Sequence, residues 1–347
     1  MRPTGSAVML CHMRMASGRN GTLLRMSIGL CLIVITFSFL GWSLASNWSD
    51  LTAEDVDIQP ALLVASMLPA AAAIILLAFI WRQIVAYLAG SGQANLGQLP
   101  KIFLYSWVGR YVPGKVAYVV GRFVLGRTAG VSGPVLVGSI VYENVLLLST
   151  GAAFATLTLL PILAIESESI LPYLALPVVA VGGVVVLHPR ILGWVVQLAA
   201  RLLGRELPED GWQISPGRMA RLVAAFLVTH VVSGVGFYLL IISVTSYSPR
   251  YLPLAAGAFV LAGIVGMISV FAPAGIGVRE GVIVAILQTT MPVELAVFVS
   301  VAARVWATAI DVVLVGGCFA YDYLSGERML LTALRGSAAE DSAGVDS

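Results

Sequence analysis

The residues of this chain that could do chemistry are cations and carboxylates set inside otherwise apolar stretches. Arg110, Lys115 and Arg122 flank a Pro113-Gly114 break, and Arg279 and Glu280 follow a Pro273-Ala274-Gly275-Ile276-Gly277 break. Glu143, Arg304 and Asp311 stand within long apolar runs. An ionisable side chain at mid-bilayer costs at least ~2.5–3.5 kcal/mol on insertion scales, so it persists where it pairs, faces water or meets a ligand. Cations exceed carboxylates in this set, and the chemistry that fits is the holding of an anion. Arg110, Lys115, Arg122, Arg279 and Arg304 are the candidate binding residues, and Glu143, Glu280 and Asp311 balance them when the site is empty. Arg304 and Asp311 share one helix face about 10 Å apart along the axis, so they flank one cavity without bridging each other. Glu143 requires a cation, and Arg122 and Arg279 are the available partners.

Catalysis finds little support. Nucleophilic and metal-dependent sites need converging Ser/His, carboxylate pairs or ligand clusters. His12, His188 and His230 are far apart in sequence, and Cys11, Cys31 and Cys318 show no CxxC or Cys/His spacing. The expectation is a non-enzyme with no cofactor and no metal.

These residues are carried by a strongly apolar chain. Of 347 residues, 59% are hydrophobic and 11% charged, where a soluble domain carries about 25% charged residues. A mean hydropathy of +0.94 exceeds what one interior can absorb, and several stretches reach the ~20 residues needed to cross ~30 Å of hydrocarbon. The fold class is therefore an all-α polytopic membrane protein of about 7–8 transmembrane helices plus two broken or re-entrant segments. The net charge of +2, with no basic run, argues against nucleic acid as a partner.

Residues 1–25 read as a cytoplasmic segment, 26–321 as the membrane domain and 322–347 as a polar, disordered tail. Spans fall near 26–46, 61–80, 134–164, 171–187, 222–244, 253–271 and 293–321. The apolar run from Met26 resembles a secretory signal, but its length and the basic region before it favour a retained anchor. Arginines precede the first span, and the following loop holds Asp50, Glu54, Asp55 and Asp57 without a basic residue. The positive-inside rule then places the N-terminus in the cytoplasm of a multi-pass cell-membrane protein. Residues 190–205 set Arg190, Arg201 and Arg205 at helical spacing against Leu192, Trp194, Leu198 and Leu202, an amphipathic helix suited to the cytoplasmic leaflet.

The broken segments lie near 102–122 and 272–290, one in each half, which suggests a two-half pseudo-repeat. Basic residues on both flanks of the first imply that both of its ends face one side. Irregular backbone survives at membrane depth only when packed in protein or lining a wet cavity, and paired interrupted helices point to a transport site.

At these segments the chain resembles a known family. Ser106-Trp107-Val108-Gly109-Arg110-Tyr111-Val112-Pro113-Gly114-Lys115, continuing to Arg122, is similar to the first signature of the lysylphosphatidylglycerol synthase transmembrane, or flippase-like, family. Ala272-Pro273-Ala274-Gly275-Ile276-Gly277-Val278-Arg279-Glu280-Gly281 is similar to the second. The likeness covers roughly residues 20–325. It implies movement of an anionic or polyprenyl-phosphate-linked lipid between leaflets, with membrane lipids as partners and a lipid-modifying enzyme or glycosyltransferase as a further one. In the resistance factors of this family an aminoacyl-transferase domain follows the membrane portion; the sequence ends at Ser347, so lysyl transfer is not expected. The rival readings are a proton-coupled transporter of a small soluble solute and an intramembrane enzyme or subunit of lipid-glycan metabolism.

Overall fold

In a computed structural model of the chain, the structure describes residues 58–90, 95–111, 116–166, 171, 174–188, 191–194, 197–198, 214–269, 275 and 277–325. The span near 26–46, the tail beyond Ser325, Pro113, Gly114, Lys115 and Pro273 lie outside these residues, as does most of the 190–205 segment.

The described secondary structure is helical. Helix α1 is Pro60–Ala89, α2 Leu99–Trp107, α3 Val116–Thr128, α4 Gly133–Glu166, α5 Ala175–Val186, α6 Pro216–Ile242, α7 Leu252–Ile268, α8 Val278–Leu287 and α9 Val293–Ser325. Proline opens several of them: Pro60 and Pro216 stand in the first turn of α1 and α6, where a missing N–H costs nothing. Among the described residues five segments are long and apolar enough to cross a membrane: α1, α4, α6, the Pro249–Ile268 stretch containing α7, and α9. The chain is an all-α polytopic membrane protein.

Helices α2 and α3 do not cross. They have 9 and 13 residues, and at about 1.5 Å per residue each falls well short of ~30 Å. The Asn95 amide donates to the Ala129 carbonyl at 2.9 Å, so the chain leaves this segment where it entered. A short 3-10 turn, Val108–Tyr111, begins the reversal. Gly109 permits it, since a Cβ there would meet the Ala117 carbonyl carbon at 2.6 Å. The first broken segment is a re-entrant helical hairpin, as the basic residues on both flanks imply.

The second forms a hairpin too. Tyr247, ahead of α7, and Thr290, after α8, share a hydroxyl hydrogen bond of 2.7 Å. At the opposite end of the pair, Gly275 (φ 71°) lies so near α7 that a Cβ would come within 2.7 Å of the Gly266 Cα. Only glycine meets both demands.

The two hairpins enter from opposite ends of the bundle. At one end the Arg82 Nε donates to the Leu96 carbonyl at 3.1 Å, Asn95 meets Ala129, and Lys101 pairs with Asp322 at 2.9 Å. At the other end the Gln59 amide donates to the Ser243 carbonyl at 2.8 Å, and the Tyr251 hydroxyl donates to Glu166 at 3.1 Å. Each half is thus a long helix, a hairpin and a second long helix: α1, α2–α3, α4, and then α6, α7–α8, α9. Because α1 and α6 run in opposite directions, the second half repeats the first upside down. The pseudo-repeat is inverted.

The apolar core divides accordingly. Trp81, Ile84, Leu99, Phe103, Leu136 and Phe226 pack around the first hairpin, and Leu159, Phe237, Leu254, Ile283, Leu287 and Trp306 around the second. Polar side chains gather between these two cores. Helix α9 runs on to Ser325 rather than stopping at Tyr321. Asp322, which the sequence assigns to the start of a polar tail, is instead buried beneath Lys101 and the Tyr105 hydroxyl, which donates to it.

A candidate anion-binding cavity between the hairpin tips

A cavity of about 260 Å³ lies at the level of both hairpin tips. Trp107, Arg110, Tyr111 and Tyr118 line it from the first hairpin, Gly266, Met267 and Arg279 from the second, and Glu143, Arg304 and Asp311 from the long helices α4 and α9. The remainder is apolar, with Leu147, Leu148, Val260 and Ile264 on the α4–α7 side, and neutral polar groups on α6 at Thr229, His230 and Ser233.

Asp311 accepts from three side chains at the first tip. The Trp107 Nε1–H donates to its Oδ1 at 3.0 Å, and Tyr111 and Arg110 both donate to its Oδ2. The Arg110 guanidinium also lies over the Trp107 ring, 4.5 Å from its centroid. Three donors from a short turn therefore converge on one carboxylate of the other half.

Arg122 is fully buried, and it is not among the cavity-lining residues. It pairs with Glu143, its Nε donates to Ser106 Oγ at 3.3 Å, and its guanidinium lies 4.0 Å from the Phe103 ring centroid and 4.4 Å from that of Tyr118. The Tyr118 hydroxyl donates to Glu143 at 3.3 Å. Of the two cations the sequence offers to Glu143, Arg122 is the one that meets it. Stripping water from two charges costs several kcal/mol per ion, offset in part here by close pairing, hydrogen bonds and stacked rings, with the Arg122 Nη2 left without a hydrogen-bond partner among the described residues.

The second half carries the same device with charges exchanged. Arg122 on the returning arm of hairpin one meets Glu143 on α4; Glu280 on the returning arm of hairpin two meets Arg304 on α9, at 3.6 Å. Glu280 also caps its own helix, accepting the Gly277 amide at 2.7 Å. That cap uses the left-handed Gly277 (φ 81°) and defines where α8 begins.

Arg279 is the counterpart of Arg110 on the second tip, and its setting differs. Its guanidinium lies 4.6 Å from the centroid of the Phe259 ring. Among the described residues no carboxylate lies within ion-pairing distance of it. It is half-buried and faces the cavity.

Some cavity residues give no charge signal in sequence. His230 shares a 3.0 Å hydrogen bond with Thr150 Oγ1 and packs beside the Phe154 ring. Trp107, Tyr111 and Tyr118 work through ring hydrogen-bond donors, which apolar patterning hides; the closeness of Trp107 and Tyr111 to Arg110, and of Tyr118 to Arg122, is the one available clue. Among the described residues no three His, Cys, Asp or Glu side chains gather as a metal set would.

No curated protein matches the chain. The family described as lysylphosphatidylglycerol synthase TM region matches residues 23–316, a range that takes in both hairpins, α1, α4, α6 and the part of α9 that lines the cavity. The chain belongs to that family.

Proposed function

We propose that this protein carries an anionic lipid headgroup, of the phospholipid or polyprenyl-phosphate kind, between the leaflets of the cell membrane. The observation that carries this reading is the meeting of two oppositely inserted hairpins at one cavity with an arginine on each tip. Inverted repeats with discontinuous helices place a substrate site near the bilayer midplane and let one half rock against the other. The two separate apolar cores supply the rigid bodies for such rocking, and the cavity between them is the hinge region.

The wall supports a lipid over a soluble solute. A headgroup needs a polar route while its chains stay in hydrocarbon, and the cavity has cations on one side and Leu147, Leu148, Val260 and Ile264 on the other. Membrane lipids are then the partners, and an enzyme that makes or consumes the lipid acts beside it. The role is transport rather than catalysis. Arg110, Arg279 and Arg304 face the ligand; Arg122 sustains the wall behind Glu143.

The basic end of the bundle, with Arg82, Lys101, Arg127, Arg218 and Arg221, faces the cytoplasm under the positive-inside rule. The other end carries Glu166, Arg250 and Glu294 and faces outward. The first hairpin then enters from the cytoplasm and the second from outside. Purified protein in liposomes, loaded with a fluorescent anionic lipid and challenged with an impermeant quencher, tests the reading. Loss of signal from both leaflets supports it; protection of the inner leaflet at the protein-free level contradicts it.

A further inference from the structure

The two inverted halves are tied to each other at both ends of the bundle by clusters of the same make. At the basic end Asp322, in the last turn of α9, accepts from Lys101 at 2.9 Å and from the Tyr105 hydroxyl, both on α2. At the other end Glu166 closes α4 and accepts from the Tyr251 hydroxyl at 3.1 Å and from Arg250 at 3.3 Å, in the 3-10 turn that leads into α7. In each case an acid ending the last helix of one half meets a cation and a tyrosine at the base of the other half's hairpin.

The helix pairs behind these clusters are packed differently. On the outer side α4 and α7 approach closely: a Cβ on Gly257 would come within 2.7 Å of the Leu159 Cγ, and one on Gly151 within 2.8 Å of the Ile264 Cδ1. On the basic side α9 is held far less. Beyond Asp311, Asp322 is the one buried residue of α9 among the described residues, Val315 and Cys318 are only partly buried, and a Cβ at Gly316 or Gly317 would meet nothing within 4 Å. The seam between α2 and α9 runs through polar and ring contacts instead. Lys101 and Tyr105 meet Asp322, the Tyr105 ring stands edge-on to Phe319 at 5.1 Å, and Trp107 donates to Asp311 at the cavity wall.

Resting on the transport reading above, we propose that the α2–α9 seam is the cytoplasmic gate of the cavity, that Asp322 is its latch, and that the close α4–α7 contact seals the outer side. In an inverted-repeat carrier the equivalent seams open in turn. A structure with one seam close-packed and the other held by a polar latch therefore stands one step from opening to the cytoplasm. Displacement on rocking grows with distance from the hinge. Asp322 lies about 16 Å along α9 from Asp311, so the latch parts before the cavity wall does. Its hydrogen bonds are charge-assisted and made to a buried acceptor, which water replaces only when the helices separate.

The test reads from which side the cavity is reached. In protein whose native cysteines are replaced, Ser233→Cys places a thiol on the cavity wall. Its rate of reaction with an impermeant maleimide is measured in inside-out vesicles and on intact cells. Asp322→Asn should raise the rate in inside-out vesicles by about tenfold, the factor that one hydrogen bond to a charged group supplies, and leave the rate on intact cells unchanged. Tyr105→Phe, which keeps the ion pair, should act in the same direction by a smaller factor. Lys101→Asp combined with Asp322→Lys should restore slow reaction. Glu166→Gln, behind which α4 and α7 stay packed, should leave both rates at the wild-type value. An unchanged rate in inside-out vesicles with both Asp322→Asn and Tyr105→Phe would overturn the gate, as would an equal rise from both sides, which marks general loosening. Either result leaves lipid transport standing where wild-type protein exchanges lipid in liposomes. Sided labelling without lipid exchange by the wild type would keep the gate and defeat the transport reading instead.

Discussion

Arg110, on the tip of the first hairpin, forms an ion pair with Asp311, near the middle of the last helix, and so ties the two inverted halves together across the cavity. The other charged pairs at this depth are made within one half: Arg122 with Glu143, and Arg304 with Glu280. A carrier that rocks one half against the other must strain or remake the Arg110–Asp311 contact. The within-half pairs move as part of their own bodies.

This difference is measurable by a double-mutant cycle. Asp311→Asn should lower the unfolding temperature in detergent, because the Arg110 charge loses its acceptor; breaking a buried pair costs about 3–5 kcal/mol, less here because Arg110 is partly exposed. Arg110→Gln combined with Asp311→Asn should recover part of that loss. Strictly additive effects would show that the two side chains are not coupled.

Arg122 should tolerate no substitution, lysine included. A lysine keeps the charge but cannot reach Ser106 and Glu143 together while stacking on Phe103 and Tyr118. Arg122→Lys and Arg122→Ala should both reduce folded yield in a detergent fluorescence-detected chromatography assay. Normal yield from Arg122→Ala would remove its role as a wall residue and return it to the ligand side.

Gly275→Ala should destabilise the second hairpin, since it adds strain at φ 71° and a contact of 2.7 Å with the Gly266 backbone. Strain of the first kind alone is worth on the order of 1–3 kcal/mol. Gly182→Ala, where a Cβ meets nothing within 4 Å, is the matched control and should unfold at the wild-type temperature. Equal behaviour of the two variants would mean that the bend lies further from α7.

Topology is open to chemical labelling once the native cysteines are replaced. Ser248 is exposed at the Glu166 end and Ser132 at the basic end. Ser248→Cys should react with an impermeant maleimide on intact cells, and Ser132→Cys only after permeabilisation. The reverse pattern would invert the bundle.

Much of this organisation is legible in the amino-acid sequence. Apolar length marks the spans, and basic residues on both flanks of the first broken segment, Lys101 before it and Arg122 and Arg127 after it, announce a segment that returns. What sequence hides is pairing. Nothing in the spacing says that Asp311 belongs to Arg110, because the contact joins residues about two hundred positions apart in chain order. Nor does it say that Arg122 is walled off by rings while Arg279 faces the cavity, since both read as cations just after a break. Asp322 reads as part of a polar tail for a related reason: the partners that bury it, Lys101 and Tyr105, come from the first hairpin. Inversion of the halves is equally silent, as it rests on end-to-end contacts such as Gln59 with Ser243.

Passage of a lipid headgroup past Arg279 is read most directly from the leaflet-exchange rate of fluorescent phosphatidylglycerol in liposomes holding either wild-type protein or Arg279→Ala. Removing Arg279 strands no carboxylate among the described residues, so the variant should unfold within a few degrees of wild type. Exchange should be rapid with wild-type protein and, with Arg279→Ala, should fall to the rate of protein-free vesicles. Exchange by a well-folded Arg279→Ala at the wild-type rate would contradict that passage.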